Sequence, residues 1–142
     1  CHLVRPSDVA QFDHPLNPQF LDDLLRAIGA EPLNYPEKMN CCGLTIFYYD
    51  RDVSVSMAYE KVRAVENTDG IVVTCPSCLL HLETSQLLKK EEGKKKVPVF
   101  YYFELLALAM GKDPEYIGFS RHRIFPSDFL KKWEERKNGK QG

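Results

Sequence analysis

Five cysteines define the chemistry open to this sequence: Cys1, Cys41, Cys42, Cys75 and Cys78. Thirty-nine residues separate Cys1 from Cys41, and thirty-two separate Cys42 from Cys75. The rest are clustered, in Cys41-Cys42-Gly43 and Cys75-Pro76-Ser77-Cys78. A thiolate can be a metal ligand, a nucleophile or a redox centre, and its neighbours decide which. The plainest reading is inert cysteine with an incidental CxxC. A thioredoxin-like dithiol explains Cys75 and Cys78, because strand–CxxC–helix is its local signature, but leaves the other three without a role. A metal site employs all five. Zinc takes four tetrahedral ligands and a cubane iron–sulfur cluster also takes four, so either leaves one thiol over. Five thiolates point to a less usual cluster.

These cysteines need elements to hold them. Ile71-Val72-Val73-Thr74 is an uninterrupted β-branched run, the pattern of a buried parallel strand, and it leads directly into Cys75. A helix carrying Leu79, Leu80, Leu82, Leu87 and Leu88 follows and stops before Gly93. Cys75 therefore sits at a strand-to-helix junction with Pro76 in the first turn, where unpaired N–H groups favour thiolate. Residues 32–35 read as a strand before the turn at Pro36 and Cys41-Cys42-Gly43, and Gly43 permits a positive φ or close backbone approach. Asn17 and Pro18 suit the start of an earlier helix, in which Phe20, Leu21, Leu24, Leu25 and Ile28 recur and Gly29 ends the run. Val53, Met57, Ala58, Val62 and Val65 mark one face of another, within 50–66. Residues 97–101 read as a second strand and 102–110 as a helix closed by Gly111.

Strands alternating with helices give the class: α/β, with a parallel, Rossmann-like sheet, flanking helices and the cysteines at strand carboxyl ends. Ligands gather outside those ends, so all five thiols can converge on one sheet edge. The domain is expected over 1–125. From Pro126 a short helix with Phe129, Leu130 and Trp133 frays into a polar tail over 126–142.

Composition excludes much else. The 142 residues are 44% hydrophobic and 27% charged, which suits one globular domain and not disorder. Lys+Arg number 19 against 20 Asp+Glu, a net charge of −1, so there is no basic field for nucleic acid. No charged and then apolar leader opens the chain, and the apolar stretch 100–110 is too short for a span and contains Glu104. The expected location is the cytoplasm, peripheral to a membrane only through partner subunits. Starting at Cys1 without Met, the chain reads as a piece of a longer polypeptide.

The pattern Cys1-x39-Cys41-Cys42-Gly43-x31-Cys75-Pro76-Ser77-Cys78 resembles the cysteine-rich CCG domain of the B-type subunit of heterodisulfide reductase, particularly its C-terminal copy. So do Cys1-His2-Leu3-Val4-Arg5-Pro6-Ser7-Asp8, Tyr35-Pro36-Glu37-Lys38-Met39-Asn40, Val97-Pro98-Val99 and the run from Leu105 to Gly111. The resemblance covers about residues 1–123 and implies a noncubane [4Fe–4S] cluster held by Cys1, Cys41, Cys42, Cys75 and Cys78. It implies a second, N-terminal CCG domain missing from this chain, with paired clusters that each take one sulfur of a disulfide substrate. Electrons would come from other iron–sulfur or flavin subunits of a redox complex. Related domains occur in succinate:quinone reductases and in glycolate and lactate oxidation complexes, so an electron relay is the alternative activity. A non-catalytic docking module stabilised by zinc or a cluster is the alternative of another class, and zinc is expected in aerobic preparations.

Other residues have weaker claims. His2 and His81 lie nearest the cysteines, and His81, three residues after Cys78, shares its helix side, yet five thiols already satisfy a metal. His14 and His122 read as surface residues. Phe47-Tyr48-Tyr49 and Phe100-Tyr101-Tyr102-Phe103 read as core, or else as a lining for the cluster pocket or the missing domain. Gly43-Leu44-Thr45 offers N–H donors to sulfur, which tune potential. The lysine-rich run 89–96 reads as a solvated face, and Arg121-His122-Arg123 suits an anionic partner.

Overall fold

The computed structural model describes residues 4–89 and 93–139. Cys1 and His2 lie outside the described residues, as does part of the 89–96 run. The chain divides into two compact units, Cys1–Cys41 and Cys42–Gly142.

The first unit holds α1 (Ser7–Ala10), α2 (Phe20–Ala27) and a 3-10 turn, Pro36–Met39. Asn17 and Pro18 suit a helix start, but α2 begins at Phe20. The Asp13 carboxylate accepts the Phe20 N–H at 2.8 Å and so satisfies a helix-start donor from outside the helix. Asn17 N–H is instead held by His14 Nδ1 at 3.0 Å. Gly29 ends the run as expected, with φ +83°. Residues 32–35 are not a strand: the sheet of the described residues holds only β1 and β2, and Pro32 and Pro36 withhold N–H donors at either end. Cys41 and Cys42 therefore follow a 3-10 turn and not a strand end.

The second unit is a β–α–β core with added helices. Its elements are a 3-10 turn Leu44–Ile46, α3 (Arg51–Arg63), β1 (Ile71–Val73), α4 (Pro76–Lys89), β2 (Val99–Tyr101), α5 (Tyr102–Ala109), α6 (Pro114–Ile117), a 3-10 turn Phe119–Arg121 and α7 (Ser127–Gly139). Asp50 caps α3 by accepting the Val53 N–H at 3.0 Å. β1 and β2 run parallel, with Ile71 opposite Val99 and Val73 opposite Tyr101. The described residues thus form an α/β fold with a two-stranded parallel sheet.

The helix α4 crosses between the strands and is buried on an unexpected face. Of the five leucines read as its apolar stripe, Leu82 is buried, whereas Leu80 and Leu88 are exposed. The buried face also carries His81, Glu83, Ser85 and Gln86. Each of these polar side chains has a partner, which makes the placement tolerable. Gln86 takes the role of a strand neighbour: its Nε2 donates to Val97 O at 2.9 Å and its Oε1 accepts Val97 N–H at 2.7 Å. Val97 thus enters the core, 1% exposed, with its backbone satisfied.

Phe100 is the centre of the apolar core, stacking edge-on to Phe119 and, at 4.6 Å, against Phe129 of α7. The tail expected to be short and fraying is a 13-residue helix anchored by that ring. Gly70 lies under the same ring: a Cβ there would stand 2.4 Å from Phe100 Cε2 and 2.9 Å from Pro98 O. Since Phe100 is 2% exposed and boxed in, Gly70→Ala is expected to cost about 1–3 kcal/mol by overpacking. Urea denaturation reads this as a lowered midpoint, and an unchanged midpoint would show that the ring yields.

The aromatic segments divide. Phe100 and Tyr102 are core, but Tyr48 and Tyr49 are 91% and 93% exposed, so the expectation of core fails there. Among the described residues, no helix is long and apolar enough to cross a membrane.

Candidate metal centre

Within the second unit the two cysteine motifs meet. Cys42 Sγ and Cys78 Sγ are 3.4 Å apart, although 36 positions separate them in sequence. Cys42 is buried and Cys78 half-buried, whereas Cys41 and Cys75 are exposed. None of the four is joined in a disulfide. Two features bring Cys42 to this place. Gly43 adopts φ +84°, a left-handed conformation that turns the chain immediately after the cysteine pair. A Cβ at Gly43 would also press on Met57 and on Ser54 O, both at 3.1 Å, so glycine is required for close packing as well.

On the other side, Cys75 immediately precedes α4 and acts as its cap. Its sulfur accepts the N–H groups of Cys78 and Ser77, the donors a helix start leaves unpaired. Burial pushes the Cys75 thiol up, but these N–H groups outweigh it and hold the group below the ordinary thiol range. For Cys42 the hydrogen bond from Cys78 is the main cause of a drop to about 5, opposed by burial and aided by the Leu44 N–H. Cys78, as the donor, is pushed up by Cys42 and by burial. The pair holds one proton between two sulfurs.

A metal fits in place of that proton. Bonds of about 2.3 Å in tetrahedral geometry set thiolate sulfurs about 3.8 Å apart, so the pair must open by roughly 0.4 Å. The donor set of Cys42, Cys78 and Cys75 is all sulfur, which suits iron–sulfur clusters and zinc and not hard cations. No group of three or more His, Cys, Asp or Glu forms a ready-made cage among the described residues. The sulfur pair is the part of the site already assembled.

His81 is not aimed at a metal. It is 1% exposed, with Nε2 at 3.0 Å from Ser54 Oγ and 3.2 Å from Ser54 O, and its ring meets Phe47 edge-on. His122 is not a surface residue either. Its side chain is 5% exposed, with Nδ1 3.0 Å from Glu83 Oε1 and Nε2 2.9 Å from Glu104 Oε1. Sequence reasoning missed this triad, since nothing local ties position 122 to 83 or 104.

A cysteine pair that joins the turn after a CCG motif to the first turn of a helix after a parallel strand defines a cysteine-rich, metal-binding type of domain. The profile of the cysteine-rich domain family CCG matches residues 1–83, more than half of the chain, and the chain belongs to that family. The chain is 33% identical over 138 residues to the B-type subunit of the ferredoxin/F420H2-dependent CoB-CoM heterodisulfide reductase of Methanosarcina acetivorans, covering 93% of this chain and 46% of that protein. It is 35% identical over 126 residues to a protein of Archaeoglobus profundus named for its likeness to the same B-type heterodisulfide reductase subunit, covering 83% of this chain and 42% of that one. It is 26% identical over 128 residues to the membrane anchor subunit of the 8-methylmenaquinol:fumarate reductase of Wolinella succinogenes, covering 87% of this chain and 45% of the relative. The chain thus spans less than half the length of these relatives.

Proposed function

We propose that this chain is the iron–sulfur part of an oxidoreductase like the B-type heterodisulfide reductase subunits, with Cys1, Cys41, Cys42, Cys75 and Cys78 as ligands of a noncubane [4Fe–4S] cluster. The observation that carries the proposal is the 3.4 Å contact between Cys42 and Cys78, which joins the CCG and CPSC motifs through sulfur. The names of the relatives support the reaction class. In this reading the sheet belongs to a Rossmann-like arrangement over residues 1–125, with Cys75 and Cys78 beyond the carboxyl end of β1. Residues 126–142 form the C-terminal helix and polar tail.

Such a cluster supplies one-electron redox chemistry and iron with an affinity for sulfur. The overall step converts R–S–S–R′, two electrons and two protons into R–SH and R′–SH. This chain's residues hold the cluster's sulfur environment. Cys75 sits on two N–H groups at the start of α4, and Cys42 accepts the N–H of Leu44. The electrons come from iron–sulfur or flavin subunits of a complex, which also provide any membrane attachment. Zinc takes the same thiols in preparations handled in air.

The test is viologen-coupled reduction of a mixed disulfide by the anaerobically assembled chain and by the full-length protein with both CCG copies. Holding both reacting sulfurs between two clusters is worth much of the barrier, so the chain alone is expected to turn over at least about a hundredfold more slowly per cluster. Equal rates would defeat the paired-cluster part of the proposal, and zinc with no iron in anaerobic material would defeat the cluster. A second reading, an electron relay to quinone, is favoured by the 26% likeness to the fumarate reductase anchor protein. Reoxidation of the reduced protein by a quinone and not by a disulfide would select it.

A further inference from the structure

We propose that Ser54 and His81 are positioning residues for the Cys42 ligand: by gripping the Gly43 carbonyl they fix the Gly43–Leu44 peptide so that its N–H serves the Cys42 sulfur. The inference rests on the cluster reading above but is carried by a separate hydrogen-bond chain. Ser54 Oγ donates to Gly43 O at 2.8 Å. His81 Nε2 lies 3.0 Å from Ser54 Oγ and 3.2 Å from Ser54 O. A carbonyl only accepts, so Nε2 carries the proton, and the Ser54 hydroxyl, whose one hydrogen goes to Gly43, accepts from it. Both side chains are essentially sealed from water, at 0% and 1% exposure. A buried, fully satisfied polar chain of this kind holds one geometry, because any rearrangement strands a donor or an acceptor.

The rigid peptide unit transmits that geometry. In a trans peptide the C=O and the following N–H lie in one plane and point in opposite directions. Gripping Gly43 O, which Ile46 N–H also holds at 2.9 Å, therefore aims Leu44 N–H the other way. That N–H is a donor to the Cys42 sulfur. Gly43 holds its left-handed φ where Ser54 O and Met57 leave no room for a β-carbon, and the two hydrogen bonds on its carbonyl oppose a peptide flip. Hydrogen bonds to a ligand sulfur draw charge from it and favour the reduced cluster. Ser54 and His81, which hydrogen-bond to the Gly43 carbonyl and to each other, would thereby raise the reduction potential of a cluster held there.

The experiment compares Ser54→Ala, His81→Leu and His81→Gln with Val62→Ala, a truncation of a 3% exposed core residue elsewhere on α3. Two quantities are read on this chain. One is the midpoint potential after anaerobic assembly with iron and sulfide. The other is amide hydrogen exchange at Leu44 and Ile46 without metal. Ser54→Ala and His81→Leu are expected to speed Leu44 exchange about tenfold and to lower the midpoint by up to about 59 mV, a tenfold change for one electron. His81→Gln, which keeps an N–H donor, is expected to restore most of both. Val62→Ala is expected to lose stability and move neither. If Ser54→Ala leaves Leu44 exchange and the midpoint where Val62→Ala leaves them, the pair only fills space and the proposal falls. A wild-type chain that assembles no iron sinks the cluster reading instead, and Leu44 exchange in Ser54→Ala still decides the positioning role.

Discussion

Replacing Cys42 or Cys78 with Ser is expected to cut the iron bound by the anaerobically assembled chain from about four atoms to fewer than about one. These are the two sulfurs already in contact, at 3.4 Å, so each variant removes half of the part of the site that needs least rearrangement. A serine hydroxyl is a hard, weakly acidic donor that does not replace a thiolate on iron. Cys75→Ser is expected to lose as much iron, because its hydroxyl can still cap α4 but offers no thiolate. Cys1→Ser and Cys41→Ser test the proposed count of five: each is expected to lose iron and to alter the paramagnetic signal. Iron, sulfide and electron paramagnetic resonance read the outcome. Full iron with an unchanged signal in either the Cys1 or the Cys41 variant would reduce the ligand set to four and remove the argument for a noncubane cluster.

The parts of this site legible in the sequence are those fixed by neighbours in the chain. The β-branched run at 71–73 followed by Cys-Pro-Ser-Cys specifies strand, junction and helix within eleven residues, and the structure has all three. Gly29, Gly43 and the Asp50 region likewise announce turns and caps whose partners lie within a few positions. What the sequence hid depends on long-range pairing. An amphipathic reading of α4 assigns its leucines to the core, but the core accepts His81, Glu83 and Gln86 because Ser54, His122 and Val97 wait there to satisfy them. No local pattern encodes those partners, which lie 27, 39 and 11 residues away. The failed strand at 32–35 shows the opposite error: a short segment between prolines resembles a strand, but the missing N–H groups of Pro32 and Pro36 interrupt any ladder at both ends. Tyr48 and Tyr49 fail for a related reason, since aromatic type alone does not say which side of the turn after Leu44–Ile46 faces water.

The buried triad makes the second large prediction: His122→Asn is expected to destabilise the chain by roughly 3–5 kcal/mol below neutral pH, the cost of stranding a buried charge. Hydrogen bonds that His122 donates to the Glu104 and Glu83 carboxylates, outweighing burial, raise its imidazolium from 6.5 to about 9. Glu83 and Glu104 are 2% and 20% exposed in their side chains, so solvent screens the contacts little. Each carboxylate has a further donor, Arg123 N–H for Glu83 at 3.1 Å and Tyr101 N–H for Glu104 at 2.7 Å. The cation thus ties α4, the start of α5 and the segment before α7 to one point. Because the folded value is raised, the stabilisation is fully present below about 6.5, the unfolded value, and disappears as pH rises through about 9. A rise from 6.5 to about 9 corresponds to about 3 kcal/mol of pH-dependent stability. Urea denaturation of wild type and His122→Asn at pH 6, 7.5 and 9.5 isolates the contribution of the His122, Glu83 and Glu104 cluster, since titrating groups away from it cancel in the difference. The gap between the two proteins is expected to be widest at pH 6 and to narrow by most of those 3 kcal/mol at pH 9.5. A gap that stays constant with pH would mean that the folded cluster holds no extra proton between pH 6 and 9.5, and the raised His122 value would be wrong.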